Sequence, residues 1–281
     1  MAGANFGFHL VWALLFSIIA TIVLQDMAAR LGIATGKGLS DALTTLSPNA
    51  GVKWVMVILI VGAIGVGSAA YESGNLTGAA IGLNAFYALG TGSWATLLGI
   101  IAALLLWRGH YAMIESVLMV LVILMAAVFF ITLLVATPDW QAMLAQLFSP
   151  QINAGAITTI LALIGTTIVP YNLFLHASLT AKHYMGQNKD TSVTSARKHA
   201  AIAISFGGLI TLTILATAMA AFFNSQTSLE AGNMGAQLEP VLGDYAGWFF
   251  AAGLFAAGLT SAITAPLAAA FAVCGALGLR Q

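Results

Sequence analysis

Between Lys53 and Arg108 the chain carries one charged residue, Glu72. A stretch of that length leaves a water-soluble fold with almost nothing to place on its surface, since about a quarter of the residues in a soluble domain are charged. Over all 281 residues the charged share is 6%, the hydrophobic share 60% and the mean hydropathy +0.97. These values specify an integral membrane protein. Seven apolar segments, each near or above the roughly 20 residues that cross a bilayer, lie at about 5–25, 54–87, 93–107, 112–136, 155–180, 200–223 and 246–274. The third is short, and the second is long enough to extend past the membrane or to bend at its glycines. The wealth of Gly and Ala, with no alternating polar pattern, favours helices over a β-barrel. Small residues such as those of "VGAIGVGSAA" are expected to let neighbouring helices approach closely. No low-complexity tail and no clear internal repeat is visible, so the chain reads as a single transmembrane domain over 1–281.

Nine Lys and Arg balance nine Asp and Glu, which leaves no basic excess with which to grip nucleic acid. The single cysteine, Cys274, has no intrachain partner and reads as a packed small side chain. The basic residues are distributed unevenly. Arg30, Lys37 and Lys53 follow the first segment, Arg108 follows the third, Lys182, Lys189, Arg197 and Lys198 follow the fifth, and Arg280 closes the chain. The remaining connections hold none. Because Lys and Arg are retained on the cytoplasmic side, the loops 26–53, 108–111 and 182–199 are expected to be cytoplasmic, in a bacterial-type inner membrane. Met1 then lies outside and the first helix runs inward. With no basic n-region in "MAGANFGFHLVW" to suggest a signal peptide, that orientation implies an upstream helix, and hence a fragment or a start at an internal methionine.

The segment "GTTIVPYNLFLHAS" raises the question of chemistry. Pro170 lacks the N–H that a helix would donate to the carbonyl of Thr166, and its ring crowds that turn, so a break is expected from Thr166 to Val169. Broken helices at mid-membrane supply backbone oxygens as ion ligands in transporters, although a plain proline kink is the simpler alternative. Asn172 and His176 share a helix face four residues apart. Asparagine offers a hard oxygen ligand, and histidine can coordinate a metal, move a proton or make only an interhelical hydrogen bond. Glu72, embedded in "SAAYESGNLTGAAIGL" with Asn75 three residues on, is a functional candidate because a carboxylate within the membrane is costly, its alternative being a structural pair with a buried donor. Asp26, Arg30, Lys37 and Asp41 read as a solvated cytoplasmic loop with defined glycine turns. His9 and His110 read as interfacial, and Trp107, Tyr111 and Trp140 as interfacial anchors. There is no P-loop, no His-Glu-x-x-His motif, no cysteine pair and no Ser-His-Asp set, so enzyme chemistry finds no support.

Four stretches together resemble the Nramp (natural-resistance-associated macrophage protein) family of divalent-metal transporters: "ATIVLQDMAARLGIATGKGLSDAL", "YESGNLTGAAIGLNAF", "IVPYNLFLHASL" and "AAGLTSAITAPLAAAFAV". They are similar to parts of the family's second, third, sixth and eighth helices and occur in that order. The resemblance implies an all-α membrane fold of inverted five-helix repeats, with the first and sixth helices unwound at a central site. This chain corresponds to helices 2–8, without the first helix and its Asp and Asn ligands. The sixth helix of the family reads Met-Pro-His-Asn; here the sulfur position is Val169, the carbonyl position Thr166 and the first histidine Tyr171, while Pro170, Asn172 and the second histidine, His176, remain. The family's acidic pair in the third helix becomes Glu72 and Asn75, and its eighth-helix glutamine becomes Leu259, with Ser261 and Thr264 retained. A soft thioether favours soft or borderline ions, so its loss opens magnesium beside manganese and iron.

The resemblance therefore implies a secondary transporter of divalent cations, with protons as a second substrate, no cofactor and membrane lipid as its surroundings. Substrate or metal binding would fall to Thr166, Val169 and Asn172, and a proton or polar relay to Glu72, Asn75 and His176, around the break at Pro170. The alternatives are a transporter of the same fold for a non-metal solute and a truncated product without transport activity.

Overall fold

The computed structural model describes all residues except 109–111, 137, 151, 153, 224–228, 231–232 and 280–281. The described residues are helical, with no strand among them. In chain order the α-helices are α1 (Ala2–Phe6), α2 (Val11–Thr35), α3 (Leu39–Thr45), α4 (Ala50–Phe86), α5 (Thr91–Arg108), α6 (Ala112–Ala136), α7 (Trp140–Leu147), α8 (Ile157–Thr167), α9 (Pro170–His183), α10 (Lys189–Phe222), α11 (Glu239–Leu242) and α12 (Ala246–Leu277). Among the described residues, six spans are long and apolar enough to cross a membrane, α8 and α9 together forming one of them. The number rises to seven if the sharply bent pair of α6 and α7 counts as one span.

The boundaries differ from expectation where local chemistry competes with hydropathy. Gly7 takes φ +56°, a left-handed conformation suited to glycine, so α1 stops and the first long helix starts only at Val11. That helix then runs ten residues past the expected end, to Thr35, because Asp26 and Arg30 form an i,i+4 ion pair of 2.7 Å along it. Residues 26–35 are accordingly helix rather than loop, as are 39–45 within the connection that follows. The expected loop 182–199 shrinks likewise, since α9 continues to His183 and α10 begins at Lys189, capped by Asn188, whose Oδ1 accepts from the N–H groups of Asp190 and Thr191. Of the expected loop 108–111, residues 109–111 lie outside the described residues, as do His110, Tyr111 and Arg280.

The residues gather into two compact units, each made of three stretches: Met1–Ile18, Asn75–Thr167 and Phe206–Ser261 in the first, and Ile19–Gly74, Ile168–Ser205 and Ala262–Gln281 in the second. The chain passes from one to the other inside α2, α4, α10 and α12, and at the break between α8 and α9. The first unit has apolar centres at Phe8, Leu14 and Leu215, at Leu10, Ala13 and Ile160, and at Met125, Phe129 and Leu238. Close helix contact in this unit falls at Gly82, which sits against the Ala251 carbonyl, and at Gly258, where a Cβ would lie 2.6 Å from the Asn75 oxygen and the Ala79 nitrogen. The glycines of "VGAIGVGSAA", Gly62, Gly65 and Gly67, have nothing within 4 Å of a Cβ position. In the second unit, Ile60 and Ile64 of α4, Tyr171 of α9 and Ala265, Ala268 and Ala272 of α12 form one apolar centre, and Ala29, Ile33 and Ala196 another.

Candidate functional site

The break falls at Ile168 and Val169, within the expected window. Thr166 and Thr167 end α8 with their hydroxyls turned back into it, donating at 2.7 Å to the carbonyls of Ala162 and Leu163. The Thr166 carbonyl has no donor four residues on, because that residue is Pro170. Val169 has an extended backbone, φ −88° and ψ 114°, and precedes Pro170 at the first position of α9, where a missing N–H costs nothing. The Asn172 N–H reaches the Val169 carbonyl at 3.2 Å. Proline thus serves two helices: it removes the donor that would have continued α8 and starts α9 with its φ already set.

The side chains around the break divide by face. Val169, Phe174 and Leu175 pack against the centre formed by Ile60, Ile64 and Tyr171, whereas Asn172 is exposed. Tyr171, at the position of the family's first histidine, is buried and meets Tyr71 of α4 edge to face, with ring centroids 5.5 Å apart. Tyr71 was not singled out in the sequence. Glu72 is half-buried on the same helix. His176 is half-buried one turn beyond Asn172, and its enclosed Nε2 has no hydrogen-bond partner among the described residues; the same holds for the Asn75 amide nitrogen. The next turn of α9 is locked: the Gly32 backbone lies against the Ala177 carbonyl, and Gly38, just before α3, lies against the Ser178 hydroxyl. The Thr180 hydroxyl donates to the His176 carbonyl at 2.7 Å.

Of the charged residues expected in a solvated loop, Lys37 is exposed in the turn after Gly36, whose φ is +67°, whereas Asp26 and Arg30 lie within α2 and Asp41 within α3. Asp26 retains 16% side-chain exposure and takes Arg30 at 2.7 Å and Arg197 of α10 at 3.0 Å, while the Lys189 ammonium donates to the Ala34 carbonyl near the end of α2. Asp41 opens α3, and burial raises its carboxyl above the usual range against the opposing pull of the Gly38 N–H and Lys37. Trp107 and Trp140 are exposed, as anchors require, and His9 is half-buried. Leu259 is buried. No three His, Cys, Asp or Glu side chains converge among the described residues.

A helix broken at a proline, with an unmatched carbonyl before it and a polar face after it, is the arrangement that the resemblance to metal transporters anticipated. The family profile described as natural resistance-associated macrophage protein-like matches residues 1–281. The chain belongs to the Nramp family. It is 31% identical over 274 residues to the divalent metal cation transporter MntH of Klebsiella pneumoniae, a match covering 95% of this chain and 64% of the relative. Against MntH of Yersinia enterocolitica the identity is 32% over 276 residues, covering 95% and 65%. This Nramp chain thus spans about two thirds or slightly less of the length of these relatives. Its fold is similar to that of the Eremococcus coleocola manganese transporter in a complex with an aromatic bis-isothiourea compound. The TM-score is 0.76 at 23% identity, covering 100% of this chain and 61% of the other.

Proposed function

We propose that this Nramp chain takes part in secondary transport of a divalent metal cation, with inward movement coupled to protons. The observation that carries the reading is the break at Pro170, which leaves the Thr166 carbonyl without a helical donor at the position the family uses for a backbone ligand. In this reading Thr166 and Asn172 offer oxygen ligands to the cation, Val169 borders the site, and Glu72, Asn75 and His176 pass protons or hold polar groups. The cytoplasmic side is that of Arg30, Lys37, Lys53, Lys182, Lys189, Arg197 and Lys198, in a bacterial inner membrane, with lipid as the surrounding partner. The passages of the chain inside four continuous helices support treating both compact units as one transmembrane domain.

The choice of ion follows from what the break lacks. Val169 and Tyr171 stand where the family has sulfur and imidazole, and both pack in an apolar centre, so the loss of the soft ligand opens the site to magnesium beside manganese and iron. A second reading, transport of a non-metal solute, is favoured by the lack of converging metal-ligating side chains among the described residues. Uptake of magnesium and manganese by proteoliposomes carrying the chain separates the two. Magnesium uptake that Glu72→Gln renders insensitive to pH supports the metal and proton reading. Absence of uptake of either ion in protein of intact helical content favours the non-metal solute or a truncated product without transport activity.

A further inference from the structure

A cavity of about 540 Å³ lies in the first unit, where α4 ends and α5 and α12 begin. Its polar lining comes from Asn84, Thr91 and Asp244, and its aromatic lining includes Trp248. The Asn84 Oδ1 accepts from the Gly90 N–H at 2.9 Å, which fixes the amide and leaves its NH₂ group to donate. Thr91 is the first residue of α5 and adds a hydroxyl, together with a backbone N–H that has no acceptor within the helix. Asp244 is exposed and makes no ion pair among the described residues; Arg108 is the only Lys or Arg in the stretches that form this unit. One cavity therefore presents donors on Asn84 and Thr91 together with the carboxylate of Asp244 and the indole of Trp248.

The lining discriminates between cations. A divalent ion asks for several oxygen ligands at once, and one carboxylate beside one amide does not supply them. A carboxylate with an indole suits an alkylammonium, which gains from the charge and from the face of the ring. The depth in the membrane discriminates further. Tyr87, Tyr245 and Trp248 are 73%, 76% and 56% exposed, and the Trp94 indole is held at 2.9 Å on the Tyr87 carbonyl. Exposed Tyr and Trp around helix ends mark headgroup level. A headgroup carrying phosphate and a primary ammonium matches both the donors and the carboxylate of this lining.

We infer that this cavity binds the headgroup of a phosphatidylethanolamine, its ammonium on Asp244 and Trp248 and its phosphate toward Asn84 and Thr91. The inference stands independently of the transport reading. Native mass spectrometry of the full chain in detergent tests it, with phosphatidylethanolamine, phosphatidylglycerol and soluble phosphoethanolamine titrated separately. Phosphatidylethanolamine should bind about fivefold more tightly than phosphatidylglycerol, the scale of one partly exposed charge pair. Asp244→Asn should abolish that preference and Trp248→Leu should reduce it, both at unchanged helical content by circular dichroism. Equal binding of the two lipids, or a preference that survives in both variants, overturns the assignment. Phosphoethanolamine binding as tightly as the lipid overturns the lipid as ligand and assigns the cavity to a soluble amine.

Discussion

Val169 is the residue at which packing and the proposed ion selectivity meet. It borders the break yet packs its side chain against Ile60, Ile64 and Tyr171. Val169→Met enlarges a filled site, with an expected stability loss of about 1–3 kcal/mol if the new side chain stays inside. If it turns toward the break it presents a thioether, and the ratio of manganese to magnesium uptake in proteoliposomes should rise several-fold, because sulfur favours the softer ion. An unchanged ratio in folded protein would mark Val169 as packing alone. Asp41 answers to pH instead. Its carboxyl is raised in the fold by burial, so the folded chain holds the proton more tightly than the unfolded one. The linkage then makes stability fall as pH rises from about 4 upward. Asp41→Asn removes the titration, so melting temperatures of variant and parent should diverge in the variant's favour between acid and neutral pH; parallel curves would contradict this. Pro170 was legible because a missing N–H is covalent. Tyr71 was not, because α4 is apolar on most of its surface and nothing in its periodicity says which side will meet α9.

At the scale of elements, the same limit governs the glycines. Their sequence spacing announces that close helix packing is available, but contact depends on which neighbour arrives. Gly32 is pressed against the Ala177 carbonyl, with the Thr180 hydroxyl oxygen 2.8 Å from a Cβ position, whereas Gly62 has nothing within 4 Å. Gly32→Ala must push α2 away from α9 and should cost about 1–3 kcal/mol. Gly62→Ala meets open space and gains helix propensity of up to about 1 kcal/mol. Thermal unfolding in detergent should therefore separate the two variants in opposite directions from the parent, and equal shifts would refute the α2·α9 contact. The lengthening of α2 past the apolar run belongs to this scale too. Hydropathy ends the segment at residue 25, but Asp26 pairs with Arg30 one turn on and with Arg197 of α10, and so carries the helix into the polar region. A charged segment looks like a loop when charges are read one at a time and like a helix when they are read in pairs.

For the whole molecule, the charges give orientation a physical basis that hydropathy lacks. The second unit holds Arg30, Lys37, Lys53, Lys182, Lys189, Arg197, Lys198 and Arg280, against Asp26, Asp41, Glu72 and Asp190. The first holds Arg108 alone, against Glu115, Asp139, Glu230, Glu239 and Asp244. Retention of Lys and Arg on the cytoplasmic side is the ground for the proposal that Lys37 and Lys53 face the cytoplasm and Tyr245 the opposite side. The alternation was visible in the sequence because it needs only the order of charges and spans, whereas the grouping into units depends on contacts between residues far apart along the chain. Single cysteines at Lys37, Lys53 and Tyr245, in a Cys274→Ser background, put the orientation to the test with an impermeant thiol reagent. Tyr245→Cys should label in intact cells, and Lys37→Cys and Lys53→Cys only after the membrane is opened. The reverse pattern would invert the proposed topology. Labelling of all three in intact cells would mean that the chain enters the membrane in both directions, and the excess of basic residues in the second unit would then be too weak to direct its insertion.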